Sequence, residues 1–175
     1  MSIGIGLGIA GFPFSGPAAF LEWIDLCEDA GIDSVWVSER LVSSSVALEP
    51  LAALSVIAGR TQRLKFGMNA IVLPHRDPLV LAKTCATLDY LSGGRLLPVF
   101  GVGAETAPEF RATGRDPKGR GTRADEMLQI MARLWDGERV TFEGKYFNYH
   151  DAVISPLPLQ QPLPRWIGGS SDAAI

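Results

Sequence analysis

Cysteine is scarce in this chain: only Cys27 and Cys85 occur, each inside a helical pattern, with no metal-ligand spacing between them. That excludes a disulfide scaffold, and free thiols in a reducing cytoplasm are expected. Histidine is equally rare, since His75 and His150 stand alone and His150 has no partner pattern. No metal site is expected. No Lys or Arg occurs before Arg40, so the apolar opening lacks the basic flank of a secretion signal. No apolar run reaches the ~18 residues that span a bilayer. A net charge of −3 without a long basic run gives no support for nucleic acid or a membrane surface as partner. Internal repeats and low-complexity tracts are absent as well.

What is present is a chain of 175 residues, 47% hydrophobic, enough to bury a real core in one domain. It opens MSIGIGLGIAGFPFSGP, and Gly6-Leu7-Gly8-Ile9-Ala10-Gly11 has the G-x-G-x-x-G spacing of a dinucleotide-binding turn. In that fingerprint a complete strand precedes the first glycine, but only five residues precede Gly6. Glycines 4, 6 and 8 alternate with Ile3, Ile5, Leu7 and Ile9, so the stretch is itself a strand with one apolar face and one bare face. Whatever lies against the bare face must approach the backbone closely.

The rest alternates. Pro17 opens a helix that runs to Gly31; SVWV (34 to 37) is a buried strand; PLAALSVIAGR (50 to 60) is a helix; LKFGMNAIVLP (64 to 74) is a strand. Asp77-Pro78 caps a third helix that stops at Ser92-Gly93-Gly94, and RLLPVFGVG (95 to 103) is a fourth strand in which Pro98 argues for a bulge or an unpaired amide. A polar segment rich in Gly and Arg (113 to 123) leads into the helix ADEMLQIMARLW, RVTFEGKYFNY (139 to 149) reads as a hairpin, and RWIGG (165 to 169) as a fifth main strand. Strand-helix alternation at this spacing implies parallel strands with right-handed crossovers. PLPLQQPLP (156 to 164) reads as a stiff surface connection rather than a polyproline ligand.

The segments EDAGIDSVWVSERL, LKFGMNAIVLPHRDPLVLAKTCATLDYLSGGRLL, RGTRADEMLQIMARLW, VTFEGKYF and PLPRWIGGSSDAA follow one another in an order that resembles the luciferase-like monooxygenase family over essentially the whole chain. TLDYLSGGR and P-x-P-R-W-I-G-G carry the resemblance most specifically. The version here looks most like the branch that uses the deazaflavin coenzyme F420 rather than FMN. The resemblance implies an α/β fold, a parallel TIM-type (β/α) barrel with its cofactor across the carboxyl ends of the strands. Such barrels have eight strands and typically ~250 residues, so the chain is expected to be an incomplete barrel, about five of eight strands with an inserted β-hairpin, a single domain over residues 1–175 truncated at its C-terminus. A fragment, a wall supplied by another copy or partner, and a rearranged sheet all remain open. Exposed sheet edges lead to the expectation of a homo-oligomer.

The resemblance also names residues. Glu39 and Arg40 follow the second strand, where the family often has an acid that contacts the cofactor ring and a histidine. Glu39, Arg40 and Glu105 are the expected catalytic residues; Arg40, which stays charged, speaks against a proton relay at the histidine's position, and a Glu39–Arg40 surface pair is the alternative. The third strand carries a bulge with a cis peptide not involving proline, against which the cofactor ring rests; here that bond is Asn69–Ala70, and the bare glycine face of the first strand is expected to give room nearby. After the fourth strand come Gly101, Gly103, Ala104 and Glu105. In the luciferase branch an arginine that grips the FMN phosphate aligns with Ala104, which cannot do so, and Glu105 lies near a glutamate of related deazaflavin enzymes or is a solvated loop acid. Gly168, Gly169 and Ser170 lead into a helix start, where adjacent amides and a helix dipole favour an anion, and in the family this loop holds the cofactor phosphate. His75 and Arg76 read as ordinary loop polar groups. The expected activity is that of an oxidoreductase or monooxygenase-like enzyme that uses F420 to pass hydride to or from a small organic substrate. An FMN-dependent monooxygenase of the same family and a non-catalytic flavin-binding or interaction protein are the alternatives.

Overall fold

The computed structural model describes residues 3–169. In chain order the elements are β1 (Gly6–Ile9), α1 (Pro17–Asp29), β2 (Ser34–Val37), α2 (Pro50–Arg60), β3 (Lys65–Val72), α3 (Pro78–Ser92), β4 (Leu96–Gly101), α4 (Pro108–Ala112), α5 (Arg120–Trp135), β5 (Val140–Glu143), β6 (Asn148–Ala152) and β7 (Trp166–Ile167). A 3₁₀ turn, Leu73–His75, follows β3. Proline opens α1, α2 and α3, where the missing N–H costs nothing. The Glu49 carboxylate accepts the Ala52 amide at 2.7 Å and that of Asp77 accepts the Val80 amide at 3.0 Å, so two helix starts are capped. Gly93, at φ +74°, ends α3 in the left-handed conformation.

The five main strands form one sheet in the order β1-β2-β3-β4-β7, every pair parallel. Strands laid down in sequence order with crossovers of one hand put every helix on the same face. A dinucleotide-binding domain reverses its strand order instead, so this order decides the question raised by the opening glycines. The helical face holds the core. Phe66, Met68, Ile71, Leu96 and Phe100 of the sheet are fully buried with Leu54 and Ile57 of α2, Ala82 and Cys85 of α3, and Met127 and Met131 of α5. Each large side chain there contributes roughly 1.5–3 kcal/mol through its removal from water.

On the other face, Trp36 of β2 lies against the glycines of β1 and β3. A Cβ on Gly6 would stand 2.9 Å from the Trp36 indole nitrogen, and one on Gly67 would stand 2.6 Å from its benzo ring. The indole donates to Ser34 Oγ at 3.0 Å and its ring centroid is 5.9 Å from that of Trp166. At Gly6 the bare face of β1 is thus taken up by a tryptophan of β2, which leaves less room there than expected, whereas Gly8, whose added Cβ would come no nearer than 3.9 Å to Trp36, stays open.

Several boundaries differ from the sequence reading. β1 begins at Gly6 rather than Ile3, β7 has two residues, and α5 starts at Arg120, behind Gly119 at φ +71°. The short α4 was not anticipated; Pro108 opens it and Phe110, 2% exposed, pins it by packing on His75. Pro98 pairs in register with Met68, and the irregularity lies between Met68 and Ile71 instead. β5 and β6 form the expected hairpin. Its turn is held by the Glu126 carboxylate of α5, which accepts the amides of Lys145, Tyr146 and Phe147 at 2.8, 2.9 and 3.2 Å. The proline-rich segment is a connection tied down at the amino end of the sheet: Leu163 is buried, and Gln160 donates to Asp89 and to the Leu96 carbonyl.

Candidate functional site

Near the carboxyl edge, three neighbouring strands place small residues side by side: Ala70 in β3, Gly101 at the end of β4 and Gly168 just past β7. The Asn69–Ala70 peptide is cis, as the family resemblance implies, and Ala70 turns toward β4 and β7. Cβ atoms placed on Gly101 and Gly168 would stand 3.6 and 3.5 Å from that of Ala70. The Gly168 amide donates to the Phe100 carbonyl at 2.7 Å, bringing the β7 end onto this floor. Ala70, Gly101 and Gly168 thus bring little side chain to this edge: Gly168 is exposed, Ala70 partly so, and Gly101 lies buried beneath them. Asn69 is exposed beside it. Gly103 has φ +70°, and a Cβ there would meet Val72 Cγ1 at 2.9 Å, so the loop after β4 sits tightly on the end of β3. Ala104 and Gly169 are exposed, and Ser170 lies outside the described residues.

The two expected acids stand in different settings. Glu39 has a side chain only 4% exposed and accepts the Val72 amide at 2.7 Å and a hydrogen bond from Arg76. Its cation is Arg76 and not Arg40, which corrects the surface-pair alternative. Arg40 is exposed and makes no ion pair or side-chain hydrogen bond among the described residues. Arg76 also reaches Glu49 at 2.7 Å. Burial alone would lower the Arg76 pKa, but the two carboxylates hold it above its ordinary value. Glu105 is 57% exposed and pairs with Arg120 at 3.1 Å; Arg120 also donates to the Gly103 carbonyl at 3.1 Å. The structure therefore groups Asn69, Ala70, Gly101, Gly103 and Gly168 at one edge, with Glu39 behind them and Arg40, Ala104 and Glu105 in solvent.

Polar residues passed over in the sequence do more than loop residues usually do. His75 packs on Phe110 with ring centroids 4.5 Å apart, and its Nδ1, like Arg76 Nε, is buried without a partner among the described residues. Burial, which outweighs the opposing charge of Glu39, lowers the His75 pKa. Arg115 donates to the Pro74 carbonyl at 2.6 Å. The only available signal was the position of these residues just past strand ends, where barrels of this kind place their chemistry. A cleft of about 480 Å³ opens at the end of β1, lined by residues 8–13 with Ser45 and Val46. Phe12 and Phe14, packed on Phe20 and Trp23 of α1, hold its rim. A groove of about 290 Å³ lies on the outside between α2 and α3, away from the strand ends.

The model of the luciferase-like monooxygenase family matches residues 6–175. The chain belongs to that family. The F420-dependent glucose-6-phosphate dehydrogenase of Amycolatopsis mediterranei is 34% identical over 161 residues, which is 87% of this chain and 47% of that protein. The monooxygenase RslO1 of Streptomyces bottropensis superposes with a TM-score of 0.83 at 26% identity, over 94% of this chain and 52% of the other. The oxygenating constituent of 3,6-diketocamphane monooxygenase of Pseudomonas putida, in complex with FMN, does so with a TM-score of 0.71 at 27% identity, over 85% and 44%. The chain spans about half the length of the curated relatives it matches. As a luciferase-like fold it is a parallel arc of a (β/α) barrel wall, five strands with their helices outside. No helix among the described residues is long and apolar enough to cross a membrane.

Proposed function

We propose that this chain binds the deazaflavin coenzyme F420 along the carboxyl edge of its sheet and, within an active barrel, serves hydride transfer to or from a small organic substrate. The observation that carries this reading is the floor of Ala70, Gly101 and Gly168, where two glycines and an alanine bring little side chain to the carboxyl edge. A planar ring fits such a surface, and the amides of Gly168 and Gly169 are the groups assigned to its phosphate. The cofactor supplies the hydride-accepting carbon; the protein supplies position and electrostatics. The curated relatives are named F420-dependent glucose-6-phosphate dehydrogenases, at 32–34% identity in the first two, which makes glucose 6-phosphate the first substrate to try. Ala104, where FMN enzymes of the family would place a cationic grip, favours F420 over FMN.

The test is a binding titration of the purified chain with F420, FMN and NADPH. F420 binding tightest is the expected result, and equal or tighter FMN binding overturns it in favour of the FMN reading, which the FMN-bound Pseudomonas putida neighbour supports. Binding without turnover in the presence of substrate favours the non-catalytic reading. Ile3, Ile5, Trp166 and Ile167 are 92%, 56%, 45% and 47% exposed at the two sheet edges, so self-association is part of the same proposal. The buried free thiols Cys27 and Cys85 suit the cytoplasm.

A further inference from the structure

We infer that Arg76 is a positioning residue that sets the backbone of the cofactor edge through Glu39; the inference rests on the F420 reading for its consequence, though not for its geometry. One guanidinium nitrogen of Arg76 donates to both the Glu39 and the Glu49 carboxylates. Glu49 in turn caps α2 through the Ala52 amide at 2.7 Å. The second oxygen of Glu39 receives the Val72 amide at 2.7 Å. Val72 is the residue on which the proposed site is seated: it pairs with Gly101 across the sheet, and its side chain stands against Gly103. The loop end of β2, the last residue of β3 and the start of α2 are therefore fixed by one cation. Arg76 is held for this task by its own amide, which donates to the Leu73 carbonyl at 2.9 Å and closes the 3₁₀ turn.

The carboxylate of Glu39 is buried and engaged on both oxygens, so within this arrangement it acts on the site through Val72. Removing the cation leaves a buried anion with a single amide partner, an expensive state that the chain escapes by turning Glu39 outward. The Val72 amide then loses its acceptor, and the 101–103 loop loses its seat. A purely space-filling role for Arg76 would do neither.

The experiment uses the full chain and two readouts: hydrogen exchange at the Val72 amide, and F420 affinity by titration at a temperature where each variant is folded. Arg76→Met should speed exchange at Val72 about tenfold or more and weaken F420 binding about tenfold. Adding Glu39→Gln to that variant should restore both, because a neutral amide still accepts from Val72 and leaves no buried charge. Arg76→Lys, which keeps a cation between the carboxylates over a shorter reach, should give intermediate exchange; if Arg76→Met does not fold, the lysine and double variants carry the same comparison. Unchanged Val72 exchange on loss of the cation, or no recovery in the double variant, overturns the inference. Failure of the unaltered chain to bind F420 refutes the proposed function instead, and Val72 exchange still decides the role of Arg76.

Discussion

The two ends of the same sheet satisfy their polar groups in opposite ways. At the amino end, Arg95 is 8% exposed and has no carboxylate partner among the described residues. It donates to the carbonyls of Ala58, Thr61, Leu64 and Ser92 and to the Thr61 hydroxyl, at 2.6 to 2.9 Å. Nearby, Glu28 accepts the amides of Gln62, Arg63 and Leu64. Burial pushes the Glu28 pKa up, and the three amides more than offset it, holding it below the ordinary value. At the carboxyl end, His75 Nδ1 and Arg76 Nε have no partner among the described residues, Ala70, Gly101 and Gly168 bring little side chain, and Arg40 and Glu105 are exposed. Full satisfaction belongs to the end that stabilises, incomplete satisfaction to the end with room for a ligand.

The comparison breaks most readily at Arg95. Arg95→Met leaves the carbonyls at the end of α2 and before β3 without donors in a dry setting, and each such group costs about 1–3 kcal/mol. The total loss should reach about 3–5 kcal/mol, at the upper end of single-substitution effects, read as the shift in urea midpoint. A loss near that of an ordinary surface substitution would mean that water replaces the guanidinium, and the amino end would then be no more specialised than the other.

Gly101→Ala tests the opposite end. The added Cβ would meet the Gly168 carbonyl oxygen at 3.5 Å and Ala70 Cβ at 3.6 Å, which are ordinary contacts, so stability should stay within about 0.5 kcal/mol. Gly101 is buried beneath that edge, however, so the methyl presses on Ala70 and Gly168, and F420 affinity should fall about tenfold, equivalent to ~1.4 kcal/mol. Melting that drops while binding holds would show the glycine to be a packing requirement.

One polar contact at the carboxyl side is fully used and sharpens the contrast. The Tyr149 hydroxyl of β6 donates to Asp77, the cap of α3, at 2.7 Å. Burial first, then the bond to Asp77, push the Tyr149 pKa to about 12. A folded value above the unfolded one of about 10 means that stability is full below that pH and declines as pH rises through about 12. Tyr149→Phe should remove that alkaline step in a melting series and cost about 1 kcal/mol at neutral pH. An unchanged alkaline profile would show that the hairpin is held by the Glu126 turn contacts alone.

What could be seen in the sequence divides along the same line. Helix starts were legible because their signals are local: Pro50 and Asp77-Pro78 sit where α2 and α3 begin. The bare face of β1 was legible as a period of two, yet its occupant, Trp36, lies in another strand. The positions of the floor residues came through family resemblance, since nothing local marks Ala70 as the neighbour of Gly101 and Gly168. Bonds that define the ends, Glu39 to Arg76 and Arg95 to Thr61, join residues more than thirty positions apart, and a charged residue in a loop reads the same whether it is solvated or buried. For that reason Arg76 reads in the sequence as an ordinary loop group.

The smallest expected effect is at Arg40. It is exposed and unpaired among the described residues, so Arg40→His should change stability by no more than about 0.5 kcal/mol. Its interest lies in pH. Arginine keeps its charge throughout the neutral range, whereas an exposed histidine exchanges its proton near pH ~6.5. Because Arg40 adjoins Glu39, which is locked to Val72, the new imidazole stands beside a fixed backbone edge. F420 binding by Arg40→His should therefore gain a pH dependence centred near ~6.5 that the unaltered chain lacks, with melting temperatures parallel at every pH. Binding curves that superpose from pH 5.5 to 8 would place position 40 too far from the cofactor to act on it, and the working part of the carboxyl edge would narrow to the floor and the strand ends behind it.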